Sequence, residues 1–256
     1  MKLAVLSDIH GNLVALEAAL ADLNSVDDVD QVWILGDLAA FGPRPAACIQ
    51  RLQTLQEKLG DQVFRIIGGN SDRYLVTGER FVASPAKEEE AFGKLVETRS
   101  AVDTVFNWNL DQLSWDDYQF LTKILRRELA TRVKGYGPII GYHAVPGNDE
   151  SLLLPTTPDE AAADFLLDRE GKLAIGGHIH QQMDRQVDGW RMVNVGSVGM
   201  SFKSPGEAQW GLVTIEDGEA TVDLRSVPYD TDAAIADFAA AGYPLPEWGA
   251  KRFLLV

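Results

Sequence analysis

Cysteine is almost missing from this chain, with Cys48 as its single example. An internal disulfide is therefore excluded, which fits a reducing compartment. Long apolar runs are missing too. None approaches the roughly 18 to 20 uninterrupted residues that a membrane-spanning helix needs. The amino terminus, Met1 to Leu6, lacks the apolar segment and small-residue cleavage site of a signal peptide. The cytoplasm is the expected compartment. Basic residues are in deficit, 23 Lys and Arg against 38 Asp and Glu, for a formal net charge of −15. With no basic stripe, a nucleic-acid duplex is excluded as the main partner. The same charge would repel an anionic membrane surface. A small phosphorylated ligand stays compatible, because bound divalent cations dominate the field around them.

What is present is an ordinary globular composition: 256 residues, 46% of them hydrophobic, with no internal repeat. Lys2 to Leu6, Val32 to Leu35 and Val63 to Ile67 are short apolar runs of buried-strand type. Between them, Leu13, Leu16, Leu20 and Leu23, then Ile49, Leu52, Leu55 and Leu59, recur at helical spacing. Strand, helix, strand, helix, strand implies a parallel core. From Arg73 to about Gly135 the chain is charged and predicted mostly helical, with helices over Glu88 to Arg99 and Ser114 to Leu125. Ser114 and Asp117 form a capping-box pattern. Trp108, Trp115, Tyr118 and Phe120 supply apolar surface for docking, so the stretch reads as a helical, cap-like insertion within one domain spanning 1–256. A strand is expected at Ile139 to Tyr142, a helix from Pro158 to Leu167, and short strands from Leu173 onward, with hairpin turns at Asp188-Gly189 and Asp217-Gly218. A last helix covers Thr231 to Ala240, and the apolar tail Phe253 to Val256 permits a homodimer.

Five apolar runs end in polar clusters: Asp8-Ile9-His10, Gly36-Asp37, Gly69-Asn70, Tyr142-His143 and Gly177-His178-Ile179-His180. In an open α/β sheet the carboxyl ends of neighbouring strands face one crevice, so the clusters can meet. Carboxylate, imidazole and amide oxygen together suit divalent Zn, Mn, Fe or Ni. All four histidines of the chain sit at these strand ends. A single histidine there would read as an ordinary core residue; four beside Asp and Gly read as ligands.

The order of these blocks, with Asn70-Ser71-Asp72 completing the third, resembles the calcineurin-like metallophosphoesterase superfamily. Ser7 to Asn12, Gly42-Pro43 and Asn194 to Gly199 look like its small prokaryotic phosphodiesterase branch. The resemblance implies an α/β fold of two facing mixed β-sheets flanked by helices, a four-layer sandwich. It implies two divalent ions, manganese first, with iron, zinc or nickel as alternatives. One ion would take Asp8, His10 and His180, the other Asn70, His143 and His178, with Asp37 bridging. Such a pair, about 3.5–4 Å apart, activates a hydroxide for in-line attack on phosphorus. Asp72 would orient its neighbours.

One position departs from the pattern. Many members carry a histidine after the asparagine, where it helps protonate the leaving group; this chain has Ser71. Asn12 and Arg73 are candidate phosphate contacts, their plainer readings being a turn asparagine and a surface arginine. The resemblance leaves three readings open: a phosphodiesterase or nucleotide phosphohydrolase, an asymmetric dinucleoside polyphosphate hydrolase, and a non-catalytic scaffold such as the retromer coat subunit. A serine cannot act as general acid near neutral pH, and such an acid contributes about 10²–10⁴-fold. Activated diesters and phosphoanhydrides are therefore expected to turn over faster than simple alkyl phosphomonoesters. Side-by-side initial rates check this, and equal rates would contradict it.

Overall fold

The structure is a computed structural model that describes residues 1–82, 84–125 and 128–254. In chain order the first half holds β1 (Lys2–Leu6), α1 (Leu13–Leu23), β2 (Gln31–Leu35), α2 (Pro45–Leu59), β3 (Phe64–Ile67), α3 (Asn70–Thr77), α4 (Glu89–Asp111) and α5 (Trp115–Ile124). The second half holds β4 (Glu128–Val133), β5 (Gly137–Tyr142), α6 (Asp159–Asp164), β6 (Leu173–Gly176), β7 (Gln182–Val187), β8 (Trp190–Val195), β9 (Glu207–Glu216), β10 (Glu219–Pro228), α7 (Thr231–Ala240) and α8 (Pro246–Leu254).

Side chains alternate across a strand, and here both alternating sets are apolar, so each sheet is covered twice. In one sheet, ordered β10-β9-β1-β2-β3, the first three strands of the chain are parallel, as the βαβαβ pattern implies. Ala4, Leu6, Val32 and Ile34 face α1 and α2, burying Leu16, Leu20, Ile49 and Leu52. Leu3, Val5, Trp33 and Leu35 face the other way, onto Ile139, Leu173, Ile175, Val193 and Val195 of the second sheet, ordered β4-β5-β6-β8-β7. That sheet's outer residues, Ile140, Tyr142, Ala174 and Met192, pack on Ala162 of α6 and Leu166 beyond it. The layers run helix, sheet, sheet, helix. Both hairpin turns carry left-handed residues, Asp188 and Gly189 at φ 46° and 80°, Asp217 and Gly218 at 52° and 82°. This is the twist that two-residue hairpins require.

Several boundaries differ from the sequence expectation. Residues 128–133, assigned to the helical stretch, form β4, an edge strand antiparallel to β5. Edge strands bury one face only, and the exposed alternate positions of β4 masked it. Helix α4 runs twelve residues past Arg99 to Asp111, because Val102, Val105 and Phe106 continue its buried face. The capping box at Ser114 and Asp117 is formed. Trp108 docks, packing edge-on to Tyr243, whereas Trp115 stays 67% exposed and stacks on Tyr118. Cys48 is buried in the face of α2, and burial pushes its thiol up. Helix α8 was not anticipated. Leu255 and Val256 of the expected apolar tail lie outside the described residues.

The run after β8 ties the two sheets together. Val198 N–H donates to the Ser7 carbonyl and Gly199 N–H to the Asp8 carbonyl, both at 2.9 Å. Ser197 Oγ donates to that same Asp8 oxygen at 2.7 Å. A Cβ on Gly199 would overlap the Ile9 carbonyl oxygen, so only glycine lets the strands approach this closely. Gly199→Ala is expected to lose at least about 3 kcal/mol in urea unfolding, the upper range for overpacking against backbone. A loss under about 1 kcal/mol, the level of a tolerated swap, would contradict that tether.

Candidate metal centre

Five of the strands that point toward the inter-sheet mouth are followed by predicted polar residues. Asp8 and His10 follow β1, Asp37 follows β2, Asn70 opens α3 after β3, His143 follows β5, and His178 and His180 follow β6. The turns are sharp. Nine non-glycine residues among those described have positive φ, and five of them are Asp8, His10, Asp37, His178 and His180, at 52° to 70°. Such backbone costs on the order of 1–3 kcal/mol per residue and persists where surrounding structure over-determines it. It holds these side chains inward.

The hydrogen bonds decide which atoms face in. Backbone carbonyls only accept, so a ring nitrogen bonded to one carries a proton. His10 Nδ1 meets the Ala40 carbonyl at 3.1 Å, His143 Nδ1 that of Leu35 at 2.7 Å, and His180 Nδ1 that of Met200 at 2.6 Å. His178 uses Nε2, 3.2 Å from the Glu150 carbonyl. The other nitrogen of each ring faces into the site. Likewise Asp8 Oδ2 accepts from His178 N–H at 2.8 Å and Asp37 Oδ1 from Ser71 N–H at 2.9 Å, leaving one free oxygen on each. A Cβ on Gly69 would overlap Asp37 Oδ1, so glycine is what allows β3 to end this close to the carboxylate.

The free atoms all point at one another. His10 Nε2 and His180 Nε2 are 3.0 Å apart, and His180 Nε2 is 3.3 Å from Asp8 Oδ1, a buried oxygen without a hydrogen-bond partner. His143 Nε2 is 3.0 Å from Asn70 Oδ1. Asp37 Oδ2 stands between, 3.6 Å from His10 Nε2 and 3.5 Å from His143 Nε2. Asp8, His10 and His180 form one group of converging donors, and Asp37, His143 and His178 another. Lone pairs facing lone pairs in a buried site repel unless positive charge lies between them. The donor set, imidazole, carboxylate and amide oxygen, is one that divalent transition metals accept.

The electrostatics of the site point the same way. Burial drives His10 and His178 down to about 4, so both rings are neutral and available as ligands. Burial also opposes charge on His143, yet Asp37 beside it outweighs this and raises it to about 10. Asp8 and Asp37, despite burial, are held below the usual carboxylate range by neighbouring histidines, His180 first for Asp8 and His143 first for Asp37. By itself, then, the protein draws a proton into the centre. A cation in the same place would satisfy the same atoms.

Asp72, Asn12 and Arg73 are engaged in contacts within the protein. Asp72 is buried and spends Oδ1 on Leu38 N–H at 2.9 Å and Oδ2 on Gly69 N–H at 3.0 Å, fixing the turns after β2 and β3 to each other. Burial and then Asp37 raise it to about 7. Asn12 caps α1, accepting from Ala15 N–H and donating to the Gly199 carbonyl, both at 3.0 Å, so its turn reading is the one the contacts support. Arg73 binds Asp149 through Nε at 2.8 Å and Nη2 at 2.9 Å, and also pairs with Glu79 and Glu150. Its charge is already answered. Ser71 is buried with its hydroxyl unpartnered and does not line the cavity over the centre. That cavity, about 200 Å³, is bounded by ligand residues together with Phe41, Tyr74, Phe81, Met200, Phe202 and Arg252. A larger groove, about 500 Å³, runs between Phe81, residues 84–88 and α4 and contains none of the converging residues. The sequence offered no sign of Phe41, Phe202 or Arg252, since they lie in loops and in a helix outside every motif block.

The calcineurin-like phosphoesterase superfamily domain matches residues 1–218. An uncharacterised protein of Methanocaldococcus jannaschii is 23% identical over 270 residues, covering 99% of this chain and 97% of the relative. A symmetrical bis(5'-nucleosyl)-tetraphosphatase of Pectobacterium atrosepticum is 33% identical over 110 residues, spanning 42% of this chain and 36% of the relative. A metallophosphoesterase of Sphaerobacter thermophilus has the same fold, with a TM-score of 0.72 at 23% identity over 99% of this chain and 98% of that one. A hypothetical protein of Pyrococcus horikoshii does also, with a TM-score of 0.79 at 20% identity over 99% and 97%. The domain match and the converging donors agree, and the chain belongs to the calcineurin-like phosphoesterase superfamily, whose members are metal-dependent phosphoesterases.

Proposed function

We propose that the chain is a binuclear phosphoesterase that cleaves phosphodiester or phosphoanhydride bonds of small nucleotide-type substrates. The observation that carries this reading is Asp37 Oδ2, placed 3.6 Å and 3.5 Å from a nitrogen of each donor group. One ion would be held by Asp8, His10 and His180, the other by Asn70, His143 and His178, with Asp37 within reach of both. Manganese is the first candidate, with iron, zinc and nickel also suited to mixed nitrogen and oxygen donors. When bound, two such ions supply a nucleophilic water at neutral pH and neutralise charge on the phosphoryl oxygens. The chain's own residues keep four rings and two carboxylates rigid through backbone partners, so little reorganisation is left for the reaction.

Leaving-group chemistry narrows the substrate. No histidine stands at position 71 and the Ser71 hydroxyl is buried away from the cavity, so a good leaving group is required. The partial likeness to symmetrical tetraphosphatases favours a second reading, a dinucleoside polyphosphate hydrolase of the symmetrical type and not the asymmetric type expected from the sequence, although the chain spans only 36% of that relative. The scaffold reading gains no support, because a scaffold has no need of a buried centre whose free atoms repel one another. Helices α4 and α5 act in this account as a cap-like insertion within one domain. Asn109 of α4 accepts from Phe41 N–H and donates to the Gly42 carbonyl, each at 2.9 Å, and so shapes the cavity wall. No helix among the described residues is long and apolar enough to cross a membrane. We place the enzyme in the cytoplasm, acting on small phosphorylated molecules without nucleic-acid duplex or membrane partners and with a homodimer permitted.

The test compares bis-p-nitrophenyl phosphate with p-nitrophenyl phosphate, using chelated protein with and without Mn²⁺. Metal-dependent turnover that favours the diester is expected. Asp37→Asn is expected to lose at least about 10²-fold in kcat, the scale for removing one transition-state-stabilising contact. Turnover unaffected by chelation, or retained in Asp37→Asn, would contradict the proposal.

A further inference from the structure

The cavity over the centre contains one guanidinium, that of Arg252 in the last turn of α8. It lies over the Phe41 ring at 4.6 Å and over Trp248 at 5.4 Å. Phe41 in turn meets the His10 ring edge-on at 5.6 Å, so the guanidinium is one aromatic ring away from a ligand histidine. Its Nε is buried and has no hydrogen-bond partner among the described residues. Among the described residues no carboxylate pairs with it, in a chain that has 38 Asp and Glu. Arg73, Arg44, Arg225 and Arg191 all have acidic partners. A partly buried arginine that faces a cavity and lacks a counter-ion is placed for an anion arriving from solution.

The geometry points to Arg252 as the residue that receives the anionic oxygens of the substrate phosphate, the role the sequence had offered to Arg73. This rests on the phosphoesterase reading of the same centre. Burial lowers Arg252 from its ordinary value, so an arriving anion offsets a desolvation cost that the folded protein already bears. The planar fork of a guanidinium matches two phosphate oxygens at once, which an ammonium does not. Two exposed aromatics, Phe202 at 41% and Phe81 at 42%, border the same cavity. Phe202 stacks on the His180 ring at 4.5 Å, and it offers a face for an aromatic group attached to that phosphate. The backbone that carries Arg252 is anchored: Tyr243 Oη donates to the Phe41 carbonyl at 2.6 Å, and its ring packs on Phe238 of α7. Residue 252 lies beyond the stretch matched by the superfamily domain, residues 1–218.

The probe is inorganic phosphate, titrated into Mn²⁺-loaded protein and read as a rise in melting temperature, which requires no turnover. Arg252→Gln is expected to weaken phosphate binding by about tenfold or more, the worth of one charge-assisted hydrogen bond. Its metal content and phosphate-free melting temperature should match the parent protein. Arg252→Lys keeps the stem packing and a point charge, and is expected to fall between the two, which covers the case in which the glutamine variant folds poorly. Phosphate affinity unchanged in both folded variants would overturn the assignment. Should no phosphate ester turn over while phosphate binding still depends on Arg252, the enzymatic reading fails and this one stands. Should turnover depend on Asp37 while phosphate binding ignores Arg252, the reverse holds.

Discussion

The structure is organised around a buried concentration of lone pairs that demands positive charge. Asp8, His10, Asp37, Asn70, His143, His178 and His180 come from five strand ends, and on the histidines and aspartates other contacts take up one atom and leave the second to face in. What remains is a buried set of acceptors 3.0 to 3.6 Å apart. In a low dielectric such an arrangement is strongly unfavourable without positive charge. The upward shift of His143 against its own burial is the protein's local response to that demand. Left-handed backbone at five of these residues is a second cost of the same arrangement.

The rest of the fold supplies the rigidity that such a site needs. Sheets buried on both faces fix the strand ends, and the run Ser197–Gly199 ties the exit of β8 to the exit of β1. Asp72 links the exits of β2 and β3 through two backbone N–H groups. Helix α4 reaches the same region through Asn109, and α8 reaches it through Arg252. The centre is a product of the whole chain, including its last helix.

Much of this was legible in the sequence because short-range patterns encode it. Apolar runs closed by Asp, Asn or His gave the strands, and the Thr231–Ala240 helix and the Ser114 capping box followed from spacing alone. The parts that were not legible depend on long-range contacts. β4 hides its strand character behind a solvated face, and α8 is a short helix that packs on α7. Arg73 was singled out for its nearness to Asn70 along the chain, yet Asp149, seventy-six residues away, claims it. Arg252 was overlooked for the converse reason. Its distance in sequence from every motif says nothing of its place over Phe41. Charge pairing is set by the fold, so sequence proximity is a poor guide to which arginine is free.

The central claim is that these atoms converge to hold two cations which share Asp37. The most direct measurement is anomalous diffraction at the manganese edge from crystals grown with Mn²⁺. Two peaks are predicted about 3.5–4 Å apart, one beside Asp8, His10 and His180, the other beside Asn70, His143 and His178, with Asp37 between them. A single peak, or peaks away from Asp37, would contradict the account.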